Sequence, residues 1–202
     1  DYDGFGRPLS IHISDQKQSP TLVIKTRFVY TDDKLPRSIH TTNRFSEDAI
    51  HGTYQYLDGF GRLIQQRSSS DRDGQFIVAS NTYDSRGRIS REYQPYFASS
   101  SEYSEVSQPD TRATTYTYDS LDRPTLIETS VGSTTIVYHN WNVRTTDPEN
   151  RVKTTHFDGF NRLVTVDEHN TNAVYTTSYE YDGSGNLTHI TDAEGNVRAF
   201  TF

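Results

Sequence analysis

The amino-acid sequence predicts an all-β protein made of repeated antiparallel β-hairpins, with very little helix. The composition favours strands, because 26 Thr, 14 Tyr and 10 Phe stand against only 9 Leu and 7 Ala in 202 residues. Thr and aromatic side chains suit a pleated surface, whereas Ala and Leu suit helices. Apolar and polar residues also alternate with a period of two, as in the run 164–167. A short phrase that recurs along the chain then divides the sequence into hairpins.

The phrase has seven positions: an aromatic residue, Asp, a small residue, any residue, Gly or a polar residue, Arg or Asn, and an apolar residue. Asp accepts hydrogen bonds from N–H groups just ahead of it, and Gly or Asn at the fifth position permits a positive φ. Each phrase therefore predicts a hairpin turn. In the copy around Asp58 the aromatic residue is displaced to Tyr56. The predicted turn residues are Tyr2, Asp3, Gly6, Arg7, Asp58, Gly61, Arg62, Tyr83, Asp84, Gly87, Arg88, Tyr118, Asp119, Arg123, Phe157, Asp158, Arg162, Tyr181, Asp182 and Gly185.

Further phrases lie between these copies. A degenerate copy occupies residues 30–37, and a weaker phrase that also begins with Asp starts at Asp71, Asp147 and Asp192. Repeats of 20–50 residues indicate an array in which each unit buries its face only against its neighbours. We therefore expect residues 1–202 to form one array of paired hairpins.

The array has one clear break. The stretch from Tyr93 to Ala113 contains two Pro and a run of three Ser, and it has no regular alternation of apolar residues. Pro and Ser clusters between periodic segments are typical of loops. The sequence therefore predicts a long loop or crossover at about residues 94–113.

Charge and composition exclude several classes of protein. The net charge of −7 argues against a nucleic-acid partner, which requires clustered Lys and Arg. The chain has no apolar run long enough for a membrane-spanning helix. Without cysteine it forms no disulfide, thiolate metal site or cysteine nucleophile. A start at Asp1 and the lack of Met lead us to expect a piece of a longer protein.

The Y-D-x-x-G-R phrases resemble the YD repeats of Rhs-type proteins. These repeats occur in bacterial Rhs toxins, in the B and C components of insecticidal toxin complexes, and in teneurins. The Asp-Gly-Phe-Gly-Arg wording at 58–62 and the Tyr-Gln-Pro-Tyr-Phe run at 93–97 are most similar to the toxin-complex and SpvB-associated branch. The resemblance covers nearly the whole chain.

The resemblance implies a ribbon of hairpins that curves and spirals into a hollow shell. In the toxin relatives such shells enclose a cytotoxic polypeptide, and in the animal relatives they serve adhesion. The resemblance also implies a secreted or cell-surface protein whose partners are neighbouring repeats of the parent protein and an enclosed toxin polypeptide. Aspartyl self-cleavage, found near the end of some shells, is not expected, because the Asp147-Pro148-Glu149-Asn150 run lacks the Gly-Leu of that site.

The polar residues offer no convincing catalytic or metal site. The repeated Asp residues would serve as paired carboxylates or as turn caps, and capping explains their recurrence better because an enzyme needs one site rather than six. The repeated Arg residues would either form a ladder that binds a ligand or pair with Asp across strands and stack on tyrosines. The seven His lack zinc-site spacing, and the loops at 71–74 and 182–186 only faintly resemble calcium loops. We expect no catalytic residues, no metal and no cofactor.

Two functional hypotheses remain. The first is a structural segment of a shell that encapsulates or scaffolds a polypeptide toxin. The alternative is a carbohydrate- or cell-surface-binding module, in which Trp141 and rows of Tyr would stack on a ligand. Unpaired strands at the ends of such a segment also predict edge-to-edge self-association.

Overall fold

The computed structural model describes residues 1–14, 22–44, 50–106 and 112–202. The chain forms two compact units, Asp1–Ala113 and Thr114–Phe202. All the named secondary-structure elements of the described residues are β-strands, and every strand pair within a unit is antiparallel. The predicted all-β fold class is confirmed. The expectation of one continuous array over 1–202 stays a prediction.

The first unit is a sheet in which each strand pairs with the next along the chain. This order follows from the short hairpin connections, because consecutive strands joined by tight turns pair with each other. Its strands are β1 (Ser10–Ser14), β2 (Leu22–Thr31), β3 (Arg37–Arg44), β4 (Ile50–Leu57), β5 (Leu63–Ser69), β6 (Phe76–Tyr83) and β7 (Ile89–Ala98).

The second unit has the same simple order of antiparallel neighbours. Two of its connections, between β9 and β10 and between β10 and β11, have only two residues. Its strands are β8 (Ala113–Tyr118), of which Ala113 is the last residue of the first unit, β9 (Pro124–Thr129), β10 (Gly132–His139), β11 (Asn142–Thr146), β12 (Val152–Phe157), β13 (Leu163–His169), β14 (Val174–Tyr181), β15 (Leu187–Thr191) and β16 (Val197–Ala199).

The predicted loop at 94–113 begins later than expected, because β7 continues to Ala98. Pro95 lies inside this strand at a register shift, where the partner strand changes from pairing Val78 with Tyr96 to pairing Ser80 with Tyr93. Proline has no N–H to donate, and a bulge removes the need for that donor. β7 therefore extends past Pro95, although the sequence predicts a loop there. Residues 107–111 of the predicted loop lie outside the described residues.

Buried side chains are scarce in the described part of the chain. The buried hydrophobic residues are Tyr56, Val78 and Ala113, and the buried polar ones are Gln65, Arg67 and Ser80. Five of these six lie on neighbouring strands β4, β5 and β6. Most other strand residues are half-buried or exposed, so each strand is stabilised chiefly by the strands beside it.

Candidate functional site

The repeated turn is held by one aspartate in the same way at each clear copy. At Asp158, Oδ1 accepts hydrogen bonds from the backbone N–H groups of Phe160 and Arg162, both at 2.9 Å. Oδ2 accepts a hydrogen bond of 2.7 Å from Nε of Arg162. The backbone N–H of Asp158 also donates to the carbonyl of Arg162 at 2.9 Å. One side chain thus fixes both ends of the turn, and we call this arrangement the aspartate clamp.

The described residues contain eight such clamps. In the clamps of Asp182 and Asp192, Asn takes the place of Arg and donates through its side-chain amide. The clamps are centred on Asp3, Asp58, Asp84, Asp119, Asp147, Asp158, Asp182 and Asp192.

Sequence reasoning assigned Asp147 and Asp192 to a separate, weaker phrase, but they form the same clamp as the six clear copies. The feature that they share with the clear copies is Asp followed four residues later by Arg or Asn. Asp71 has no such partner, and its turn is closed instead by a hydrogen bond from Ser70 N–H to the Gln75 carbonyl. In the degenerate copy, Asp32 accepts two hydrogen bonds from the guanidinium of Arg7.

The fifth position of each clamped turn has a positive φ. Gly61 has φ 79° and Asn161 has φ 61°, in the left-handed region that Gly and Asn tolerate best. The same region is occupied by Gly6, Gly87, Asp122, Asn150, Gly185 and Gly195. The first position of the phrase pairs with the apolar seventh position, as Phe157 does with Leu163. The strand register shifts next to this pair at the turns of Asp58, Asp84, Asp119, Asp158 and Asp182. The turns are therefore hairpin loops with a bulge.

The clamps favour the ionised carboxylates. The backbone N–H of Arg162, followed by its guanidinium, lowers the pKa of Asp158 below its usual value. The side-chain amide and backbone N–H of Asn186 lower the pKa of Asp182 in the same way. At Asp58, desolvation raises the pKa, but the hydrogen bonds from Arg62 and Phe60 outweigh it and the net pKa is lowered. These carboxylates are acceptors that the turn itself occupies, which leaves them unsuited to acid–base work.

The clamp arginine also connects one hairpin to the next. The guanidinium of Arg162 lies 4.8 Å from the ring centroid of Tyr181, whose hydroxyl donates to the Leu163 carbonyl at 2.9 Å. Arg62, Tyr83 and Leu63 repeat this contact in the first unit, at 4.5 and 2.8 Å. The same contact is formed by Arg7, Tyr30 and Pro8, and by Arg123, Tyr138 and Pro124.

These four Arg–Tyr contacts place the clamp arginines against a neighbouring strand. Tyr138 belongs to no recognised phrase, and sequence reasoning missed it. The only available signal is its place just before the two-residue connection that follows β10. A cation lying over an aromatic face is attracted by the ring, and the tyrosine hydroxyl fixes the ring in place.

A polar patch on β4, β5 and β6 is covered by a later segment of the same unit. Tyr56 pairs with Gln65, and Gln65 pairs with Ser80, so these residues share one face of the sheet with Arg67. Gln65 and Arg67 are each only 1% exposed. We call Tyr56, Gln65, Arg67 and Ser80 the covered patch, and residues 99–106, which follow β7, the strap.

Hydrogen bonds join the strap to the covered patch. The hydroxyl of Tyr56 donates to the Ser101 carbonyl at 2.5 Å, and Nε2 of Gln65 donates to the Ser104 carbonyl at 2.9 Å. Arg67 donates from Nη1 to the Ser100 carbonyl and from Nη2 to the Ser104 hydroxyl, both at 2.6 Å. The sequence marked this segment only as loop, because nothing local reveals what a loop covers.

The second unit has a comparable polar group that remains partly exposed. His156 and Asp167 approach to 2.8 Å, with their side chains 30% and 23% exposed. The Thr176 hydroxyl donates to the other oxygen of Asp167 at 2.6 Å. The pKa of Asp167 is lowered first by this hydroxyl and then by His156. We call His156, Thr165, Asp167 and Thr176 the open patch.

The predicted ligand-stacking residue, Trp141, lies in the two-residue connection between β10 and β11, with 56% of its surface exposed. Its carbonyl accepts a hydrogen bond from the Phe157 N–H at 2.8 Å. A cleft of about 510 Å³ in the second unit has Tyr175, Lys153, Glu168 and Asp147 among its lining residues. Trp141 is not among the residues that line it.

Among the described residues, no group of three or more His, Cys, Asp or Glu is arranged to hold a metal ion. None of the described segments forms a helix of the length and apolar character needed to cross a membrane.

Comparisons with known proteins point to one group. A family profile for the RHS repeat matches residues 174–197, and one described as "Domain of unknown function (DUF6443)" matches residues 29–138. The fold is similar to that in the "Crystal Structure of TcdB2-TccC3-TEV", with a TM-score of 0.63 and 21% sequence identity. The match covers 79% of this chain and 10% of that one, so the chain spans about a tenth of that protein's length. No curated protein matches the chain.

Proposed function

The chain belongs to the DUF6443 family and is an Rhs/YD-repeat protein related to the toxin complex, and from this premise we propose that it is part of a shell wall that encapsulates or scaffolds a polypeptide toxin. The RHS-repeat match and the fold shared with a toxin-complex structure support an Rhs-type shell segment. Encapsulation is the further step of the proposal. The same relationship supports a secreted or surface location. The proposal assigns no catalytic role and no cofactor to the chain.

The observation that carries this proposal is the repeated Arg–Tyr contact between hairpins. Four such contacts use the same atoms, at distances of 4.1 to 4.8 Å between guanidinium and ring centroid. A structure held by nearest-neighbour contacts grows by adding identical units, and it needs no central core. The few buried side chains of the described residues fit a wall better than a self-contained globular domain.

The polar character of the strand faces supports the encapsulation step. The covered patch consists of polar side chains that bind the strap, and the open patch presents His, Thr and carboxylate groups. An unfolded polypeptide collapses onto apolar surface, because burial of that surface is its main driving force. A polar lining holds an extended chain without giving it such a surface.

Proteolysis of the full-length parent protein tests this proposal. Protease is added to the intact protein, and the rate at which the carried polypeptide is cleaved is compared with that of a variant lacking residues 1–202. The proposal predicts rapid cleavage only in the deletion variant. The double substitution Tyr83→Phe and Tyr181→Phe, which removes two hydroxyl hydrogen bonds and keeps the segment, serves as the matched control and should be cleaved as slowly as the intact protein. Equal cleavage rates in the intact protein and the deletion variant would exclude encapsulation by this segment.

The cleft in the second unit favours a second candidate, the binding of carbohydrate or a cell-surface ligand. Tyr175 is 49% exposed beside Lys153, Glu168 and Asp147, and an aromatic face with nearby polar groups suits a sugar ring. A glycan array probed with the purified chain tests this function, with Tyr175→Ala and Trp141→Ala as variants. Binding that Tyr175→Ala abolishes would support it, and an array without signal above background would count against it.

A further inference from the structure

The strap is held mainly through its backbone. Tyr56, Gln65 and Arg67 each donate a hydrogen bond to a main-chain carbonyl, of Ser101, Ser104 and Ser100 in that order. Every amino-acid residue carries such a carbonyl. The three contacts therefore place no demand on the side chains of the segment that lies over the patch.

The donors of the covered patch are held in position by one another. Nε of Arg67 donates to Oε1 of Gln65 at 2.9 Å, and Nε2 of Gln65 also donates to the Ser80 hydroxyl at 3.0 Å. These contacts orient the side chains toward the strap whichever residues the strap contains. The guanidinium carries a positive charge, and its hydrogen bonds to carbonyl oxygens are stronger than those between neutral groups.

The strap's own side chains add little to its attachment. The Ser104 hydroxyl accepts from Arg67, and the ring centroid of Tyr103 lies 5.6 Å from that of Tyr56. Residues 102–105 are exposed, and Tyr103 is 37% exposed. Side-chain selectivity is therefore confined to a small hydroxyl and one aromatic ring.

We propose that the covered patch is a binding site for the main chain of an extended polypeptide, and that the strap occupies it as an internal ligand. The ligand class is a peptide segment of five to eight residues recognised through its carbonyl oxygens, with a mild preference for Tyr followed by Ser. The inference rests on the proposed function, because it assigns a chemical basis to the contact between wall and enclosed chain. The strap blocks the site by its high effective concentration.

Peptide binding to a strap variant tests this inference. In the variant, residues 100–104 are replaced by glycine, which removes the Tyr103 and Ser104 side-chain contacts and makes the bound strap entropically costlier. The probe is a fluorescent peptide with the sequence of residues 99–106, and binding is followed by fluorescence anisotropy. We expect the variant to bind the probe at least about tenfold more tightly than the unaltered protein. Adding Arg67→Met should reduce that binding by a similar factor.

Altered probes distinguish main-chain from side-chain recognition. A peptide of the same length with Ala in place of Ser at positions 99, 100 and 101, which keeps Ser104, should bind within about threefold, whereas a peptide whose Ser100 carbonyl is reduced to methylene should lose at least about tenfold. The reverse order of these two effects would overturn the inference, as would equal probe binding by the strap variant and the unaltered protein.

Folding and the wider proposal are separated by two controls. Amide exchange of β3 and β4, in the same unit as the strap, and far-UV circular dichroism report whether the variant keeps its sheet. If the five-glycine variant does not fold, the Ser101→Gly and Tyr103→Gly double variant, which raises the entropic cost of the bound strap with fewer changes, decides: tighter probe binding supports the site, and unchanged binding overturns it. Peptide binding together with an unprotected toxin would refute encapsulation alone, whereas protection without peptide binding would refute this site alone.

Discussion

The covered and open patches occupy the same place in two repeats, yet they are built from opposite charges. Tyr56 and His156 each lie two residues before a clamp aspartate, and Arg67 and Asp167 each lie nine residues after it. The partner strand repeats the correspondence, with Ser80 opposite Gln65 and Ser178 opposite Thr165. The first patch has a buried cation beneath the strap, and the second has a partly exposed carboxylate.

This difference shows which parts of the repeat are constrained. The clamps around Asp58 and Asp158 agree to within 0.1 Å in the hydrogen bonds to Phe N–H, Arg N–H and Arg Nε. The strand faces that begin two residues away share almost nothing. The turn and the Arg–Tyr contact repeat because they join each hairpin to its neighbour, whereas the strand faces take no part in that joining and are free to differ.

The largest difference between the patches should appear when their central charges are removed. Arg67→Ala removes the donors to Gln65 Oε1, the Ser100 carbonyl and the Ser104 hydroxyl and creates a cavity, so we expect the first unit to lose about 3 kcal/mol of stability. Asp167→Ala should cost the second unit only about 1 kcal/mol, since water replaces its partly exposed contacts. Amide exchange under increasing urea, measured separately in β5 and β13, gives both values. Equal losses would contradict the assigned difference in burial.

Acid should destabilise the second unit more than the first. A carboxylate whose pKa is lowered by folding stabilises the protein above its unfolded pKa of about 3.8, and that stability is lost as the pH falls through the lower folded value. Among the described residues, the pKa is lowered at four Asp carboxyl groups of the first unit and at six of the second. These are Asp3, Asp32, Asp58 and Asp84, and then Asp119, Asp147, Asp158, Asp167, Asp182 and Asp192.

Urea unfolding between pH 5 and pH 2.5, followed by amide exchange in each unit, measures this effect. The expected result is a steeper loss below pH 4 in the second unit. Asp182→Asn is the matched control: it keeps an acceptor for the backbone N–H groups of the turn but does not titrate, and so should make the loss shallower. A steeper loss in the first unit would show that the clamps do not dominate acid stability.

The Arg–Tyr contacts should give equal effects in the two units, in contrast to the patches. Tyr83→Phe and Tyr181→Phe each remove a single hydroxyl that donates to the carbonyl after a clamp arginine, at 2.8 and 2.9 Å. A neutral hydrogen bond of this kind contributes about 1 kcal/mol, so each variant should lose about that amount. Urea midpoints followed by exchange in β6 and β14 test the equality. A difference of more than about twofold would mean that the contact is not a uniform element of the wall.

The difference between turn and face also explains what the sequence could predict. A clamp depends on residues only four apart, so its Asp, positive-φ position and Arg are all visible as a local phrase. Tyr138 contacts Arg123 from β10, the strand that pairs with β9, and no recurring phrase in the sequence marks it. The strap contacts residues 33 to 45 positions earlier, and its attachment through backbone carbonyls leaves no trace in its sequence.

The smallest effect is expected at the exposed tips of the clamped turns. Phe60 and Phe160 are 86% and 83% exposed, and each lies 5.1 Å from the guanidinium of its own clamp arginine. An exposed cation–π contact contributes about 0.5 kcal/mol, so Phe60→Ser and Phe160→Ser should each change stability by no more than that. Urea unfolding of both variants provides the measurement. Serine is the natural residue at the same tip position of the Asp182 turn, Ser184, so the substitution is compatible with a clamped turn. A larger loss at one tip only would mean that the tip itself is buried by a contact particular to that repeat, and the division into uniform turns and variable faces would then have to exclude it.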